Sequence, residues 1–163
     1  MNKEDLRNFY TQTAASRGKW ERMNRFYHKS LERYVSSIIP EGKRVLEIGC
    51  GNGNLLQKTR PSYGVGIDFA PECIATASQR HPDLIFKVDD VEELELNEKF
   101  DYIILSDLTN CLWDVQTAFH NIKKLCHTQT RIVISQYNYM WEPILRSGEF
   151  FHLKLRQPAQ NWF

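Results

Sequence analysis

Residues 45–54 read Val-Leu-Glu-Ile-Gly-Cys-Gly-Asn-Gly-Asn, an apolar run that breaks into glycines at alternate positions, Gly49, Gly51 and Gly53. Glu47 stands just before the turn, and Asp68 lies 21 positions further on, closing the next apolar run, Val65-Gly66-Ile67. Glycines let a ligand approach the backbone closely, and Cys50 between them is small. An acid at the end of a second strand can accept hydrogen bonds from two ribose hydroxyls. Strand, glycine-rich turn, helix, second strand and terminal acid together make a nucleotide-type site.

The spacing narrows the ligand. A dinucleotide site wants G-x-G-x-x-G so that pyrophosphate rests on a helix N-terminus. Here the third glycine comes one position early, and Asn54 stands where that pattern wants glycine. No G-x-x-x-x-G-K-[ST] phosphate loop occurs in the chain. S-adenosylmethionine has no phosphate, but it carries a sulfonium and an ammonium. A carboxylate such as Glu47 suits that positive charge and would repel pyrophosphate, which also weighs against a nicotinamide-dependent reductase.

Further segments extend the pattern: Gly64-Val-Gly-Ile-Asp-Phe69-Ala-Pro-Glu72, Val88-Asp-Asp-Val-Glu-Glu-Leu94 and Phe100-Asp-Tyr-Ile-Ile-Leu-Ser-Asp-Leu108. With the glycine turn, they resemble the ordered motifs of class I S-adenosylmethionine-dependent methyltransferases over roughly residues 15–160. The resemblance implies Asp68 on the ribose, Phe69 against the adenine, Asp90 on the adenine amino group and the Val91 N–H on a ring nitrogen. It places Ser106 and Leu108 at the fourth strand and its loop, beside the cofactor. Each piece alone has a plainer reading. The glycine turn can be structural, Asp68 can cap a helix or turn, and Asp89 and Asp90 can be turn acids. Their order and spacing argue for one site.

At 163 residues the chain has a one-domain length. A formal charge of +1 gives no global pull toward nucleic acid or an anionic membrane. Apolar runs fall far short of the ~20 residues that span a bilayer, and the N-terminus lacks the apolar stretch of a signal peptide. Cys50, Cys73, Cys111 and Cys126 form no C-x-x-C pair, so neither a disulfide framework nor a metal site is expected. The expectation is a cytoplasmic protein with reduced thiols, no nucleic-acid partner and no membrane contact.

Helical spacing runs over 17–39, closed by Pro40-Glu41-Gly42, and its basic groups, Arg25, Lys29 and Arg33 among them, read more readily as a solvated face than as a patch for a phosphate-bearing partner. Strands are predicted near 43–48, 64–68, 84–88, 101–106 and 131–136, and helices near 53–59, 71–80, 115–126 and 140–149. Asp114 is a candidate cap for the third of these helices, with Ala118, Phe119, Ile122 and Leu125 as its apolar face and His120 exposed. The alternation predicts an α/β, Rossmann-like doubly wound parallel sheet of order 3-2-1-4-5, within a single domain over 1–163.

Class I methyltransferases usually add two further strands, and the fifth strand here would be a bare apolar edge. The expectation is a sheet truncated before its last two strands, completed by a missing C-terminal segment or a second chain. Tyr137-Asn-Tyr-Met-Trp-Glu-Pro-Ile-Leu145 and Gln157-Pro-Ala-Gln-Asn-Trp162 resemble a bacterial subgroup often fused to a family 2-type glycosyltransferase, which hints at glycan metabolism.

Methyl transfer needs the acceptor held close and aligned, with a base only where the acceptor is protonated and weakly nucleophilic. Ser106-Asp-Leu-Thr-Asn110 lacks the Asn/Asp-Pro-Pro-aromatic loop of enzymes that methylate planar amides or adenine. An oxygen of a small molecule or saccharide is therefore the leading acceptor. Asp107 is the candidate base, though a loop cap or a cofactor contact through its backbone would explain it as well. Tyr137, Tyr139 and Trp141 are candidates to line the acceptor pocket, and Tyr10 and Tyr27 to close over the cofactor. A different class of function stays open: a non-catalytic S-adenosylmethionine-binding module that regulates, or is fused to, a glycosyltransferase.

Overall fold

A computed structural model describes residues 3–5, 8–9, 11–12, 23–136 and 140. The elements run α1 (Arg25–Ile38), β1 (Arg44–Ile48), α2 (Asn54–Lys58), β2 (Tyr63–Asp68), α3 (Pro71–Arg80), β3 (Ile85–Val88), β4 (Phe100–Ser106), α4 (Val115–Lys124) and β5 (Cys126–Ser135). All strand pairs are parallel and the sheet order is β3-β2-β1-β4-β5, as the alternation predicts.

Strand periodicity divides the core. Side chains alternate across a strand, so Leu46 and Ile48 face one side of the sheet with Val65, Ile67, Ile103 and Leu105, where Ala118, Ile122 and Leu125 cover them. Val45, Tyr102 and Ile104 face the other side, under Val35, Ile39 and Leu56. Glu47 has the parity of Val45, so its carboxyl enters the α1–α2 layer. Burial of each such aliphatic side chain contributes about 1.5–3 kcal/mol. The central strands are therefore nearly continuous apolar runs, as sheets covered on both faces require.

Asp114 caps α4 as expected, accepting the Thr117 N–H at 3.0 Å, and His120 is exposed. Arg25, Lys29 and Arg33 lie in solvent. Two boundaries differ from the sequence reading. The helix predicted to reach 126 stops at Lys124, and β5 starts five residues before the predicted 131. The polar stretch 126–130 lacks apolar alternation yet pairs at Phe100↔Cys126 after a register shift. Among the described residues β5 pairs with β4 alone, and Ile132 and Ile134 are exposed. The helix predicted near 140–149 and Tyr10, Tyr137, Tyr139 and Trp141 lie outside the described residues. No described helix is long and apolar enough to cross a membrane.

Candidate cofactor and acceptor site

The glycine turn is folded back on β2. Gly49 and Cys50 both donate to the Ile67 carbonyl, at 2.8 and 2.9 Å, and Gly53 N–H closes on Cys50 O at 2.9 Å. Gly49, Gly51 and Gly53 all have positive φ, a region disfavoured for side-chain-bearing residues. A Cβ on Gly53 would lie 2.5 Å from Phe86 Cζ.

Asp68 locks this turn to the end of β2. Its Oδ2 accepts the Gly51 N–H at 3.0 Å and its Oδ1 the Ala70 N–H at 2.9 Å. Asp68 thus caps the turn, and it also lines the cleft beside it.

Glu47 serves the turn from beneath. It is buried, and its Oε2 accepts the Leu56 N–H at 3.0 Å, at the N-terminus of α2. Such N–H groups have no partner within the helix. Burial pushes the Glu47 carboxyl up to about 8; the Leu56 N–H opposes the rise and Asp68 adds to it. Cys50 is buried as well, and burial, Glu47 and Asp68 raise its thiol far above the ordinary range, so it is a neutral packing group.

A cleft opens above the turn. Gly49, Asp68, Phe69, Asp90, Val91 and Leu108 all line it. Glu47, Cys50, Gly51, Gly53, Ser106 and Asp107 do not. Ile48, Ile67 and Leu112 add apolar surface. Four acids, Asp68, Asp89, Asp90 and Glu92, thus line a largely apolar slot, a set that fits an adenosine: carboxylates for ribose hydroxyls and an amino group, apolar side chains for a ring. A Cβ on Gly49 would sit 3.0 Å from Leu108 Cδ1 and narrow the slot.

Asp107, the candidate base, directly follows β4. Asp107 has φ +53 and donates its N–H to Ser135 O at 2.9 Å. Its Oδ2 accepts the Tyr27 hydroxyl from α1 at 2.7 Å. Ser106 instead meets Ser135, Oγ to Oγ, at 3.2 Å.

Sequence reasoning missed Glu92 and Lys3. Glu92 Oε1 accepts the N–H groups of Trp113 and Asp114, at 2.8 and 3.2 Å, and so draws the 109–114 loop over the cleft. Its place beside Asp90 in the acidic segment was the available signal. Lys3 also lines the cleft, and nothing local in the sequence marks it.

With this geometry established, the comparisons are consistent. A methyltransferase-domain family profile matches residues 19–162. The chain is 31% identical over 134 residues to the malonyl-[acyl-carrier protein] O-methyltransferase of Bacillus cytotoxicus, covering 76% of this chain and 46% of that protein. The N-methyltransferase NodS of Bradyrhizobium japonicum, solved with S-adenosylhomocysteine, is 26% identical with a TM-score of 0.60, over 69% of this chain and 61% of NodS. A methyltransferase structure from Thermotoga maritima shares the fold at a TM-score of 0.79, with 17% identity, over 97% of this chain and 74% of that one. The chain spans under half the length of the first curated relatives it matches. Motifs, sheet order, cleft and family profile coincide, and the chain belongs to the class I S-adenosylmethionine-dependent methyltransferase family.

Proposed function

We propose that the chain binds S-adenosylmethionine in the cleft at the carboxyl ends of β1 and β2 and directs its methyl group to an oxygen of a small molecule or saccharide. The observation that carries this reading is the convergence of Gly49, Asp68, Phe69, Asp90, Val91 and Leu108 on one slot. Asp68 takes the ribose hydroxyls, Asp90 the adenine amino group and the Val91 N–H a ring nitrogen, while Phe69 and Leu108 pack the ring faces. When bound, the cofactor supplies a methyl carbon already activated by positive sulfur.

Asp107, held by Tyr27 at 2.7 Å, receives the proton of an acceptor hydroxyl. The loop from Ser106 to Asn110 has neither the prolines nor the aromatic side chain suited to a planar amide. An O-methyltransferase among the relatives supports oxygen as the acceptor atom. The stretches that resemble the glycosyltransferase-fused subgroup lie, apart from Met140, outside the described residues; they support a saccharide through sequence alone.

The test is incubation with S-adenosylmethionine and a panel of hydroxylated small molecules and saccharides, read by mass spectrometry. One acceptor should gain a single methyl group, and Asp107→Ala should abolish that gain. Methylation of amines alone would refute the acceptor assignment.

A further inference from the structure

Lys3 reaches the adenine end of the cleft from the N-terminal side. It lies in a helical turn over residues 3–5 and lines the same slot as Asp68, Asp90 and Val91. Its Nζ is 3.1 Å from Asp90 Oδ2, 3.0 Å from Glu92 Oε2 and 2.9 Å from Glu93 Oε1. An ammonium has three N–H donors, and three carboxylates receive them.

These are not ordinary surface pairs. The side chains of Asp90 and Glu92 are 11% and 8% exposed, so solvent screens them less than it does exposed ions. Burial works against the Lys3 charge, but its bonds to Glu93, Glu92 and Asp90 outweigh that and raise its pKa above the lysine range. The remaining oxygens of two of these acids serve the fold. Asp90 Oδ1 accepts the Glu92 N–H at 2.9 Å, and Glu92 Oε1 holds Trp113 and Asp114. Asp90, which lines the cleft, meets Lys3 through its other oxygen, Oδ2.

We propose that Lys3 is an intramolecular competitor of the adenine amino group: its ammonium occupies Asp90 in the ligand-free protein, and an adenosine ligand binds by displacing it. The proposal rests on the reading of this cleft as the cofactor site. An adenine amino group has two N–H donors and no charge, so it replaces the bond to Asp90 and does not replace the Lys3 ammonium at Glu92 and Glu93. Displacement therefore opposes binding. Apparent affinity is the intrinsic affinity scaled by the fraction of molecules in which the slot is open.

The test is calorimetric titration of the full chain with S-adenosylhomocysteine and, separately, with adenosine, which lacks the methionine part and reports on the adenine end alone. Lys3→Met should tighten both ligands by about tenfold, by raising the open fraction. Glu93→Gln, at an acid outside the assigned cofactor set, should tighten them by about threefold for the same reason. Lys3→Arg should stay near the unmodified chain. Added salt should strengthen binding to the unmodified chain and leave Lys3→Met unchanged. The Glu93 variant and the salt series keep the test independent of whether Lys3→Met folds. If the unmodified chain binds and Lys3→Met binds equally or more weakly, competition is refuted while the cofactor site stands. If no form binds either ligand, the cofactor reading fails and the competition fails with it.

Discussion

The Tyr27 hydroxyl donates a 2.7 Å hydrogen bond to Asp107 Oδ2, joining α1 to the loop after β4 across 80 positions of sequence. Asp107 sits at φ +53, a conformation that costs a non-glycine residue about 1–3 kcal/mol and persists where its surroundings over-determine it. Here a backbone bond to Ser135 and the tyrosine do so from opposite sides.

The first prediction follows from that pair. Tyr27→Phe should lower stability to chemical denaturation by about 1.5–3 kcal/mol, the range for a hydrogen bond to a charged group. If Asp107 is the base, Asp107→Ala should leave affinity for S-adenosylhomocysteine within about twofold while turnover disappears, since Asp107 does not line the cleft. In the double variant Tyr27→Phe, Asp107→Ala, the losses in stability should be less than additive, as they are for residues in direct contact.

Asp68 offers a test of the proposed ligand set. Asp68→Asn removes the carboxylate proposed to receive the ribose hydroxyls and loosens its hold on Gly51 and Ala70. Affinity for S-adenosylhomocysteine should fall by about 10- to 100-fold, the equivalent of one charge-assisted bond. An unchanged dissociation constant would remove Asp68 from the ligand set.

Glu47 gives the protein a pH dependence with a definite sign. Its folded carboxyl is raised by burial from the ordinary 4.5 to about 8. Between those values the folded state binds the extra proton, so this group's contribution is complete below the lower value and is lost as pH rises through the upper one. Glu47→Gln stays neutral throughout. Its Tm should therefore hold up better than that of the unmodified chain as pH rises from about 5 to about 8. Parallel profiles across that window would show that Glu47 is ionised in the folded protein.

Two glycines separate strain from crowding. Gly42 and Gly53 share φ +76, but a Cβ on Gly42 meets nothing within 4 Å, whereas one on Gly53 lies 2.5 Å from Phe86 Cζ. Gly42→Ala should lose about 1–2 kcal/mol from backbone strain. Gly53→Ala should lose a further ~1–3 kcal/mol from overpacking, measured by denaturant unfolding. Equal losses would contradict the packing of Phe86 over the turn.

The legible parts of this chain were those with local signatures. β1, β2 and β4 read as strands because both their faces are covered, and the glycine turn and Asp68 read as a site because a fixed spacing joins them. Asp114 read as a cap because it directly precedes an amphipathic run. The start of β5 was not legible, since 126–130 lack apolar alternation and His127, Thr128 and Gln129 are exposed. The downward role of Glu47 depends on strand parity relative to α2, which spacing alone does not give. Lys3 on Asp90 and Tyr27 on Asp107 arise from tertiary closure between distant segments, and no local pattern encodes them.

The most direct test of the account is calorimetric titration of the chain with S-adenosylmethionine, S-adenosylhomocysteine and NADH. The arrangement around Gly49, Asp68 and Asp90 predicts saturable one-to-one binding of the first two and none of NADH. Binding of NADH, or no heat from either sulfur compound, would contradict it.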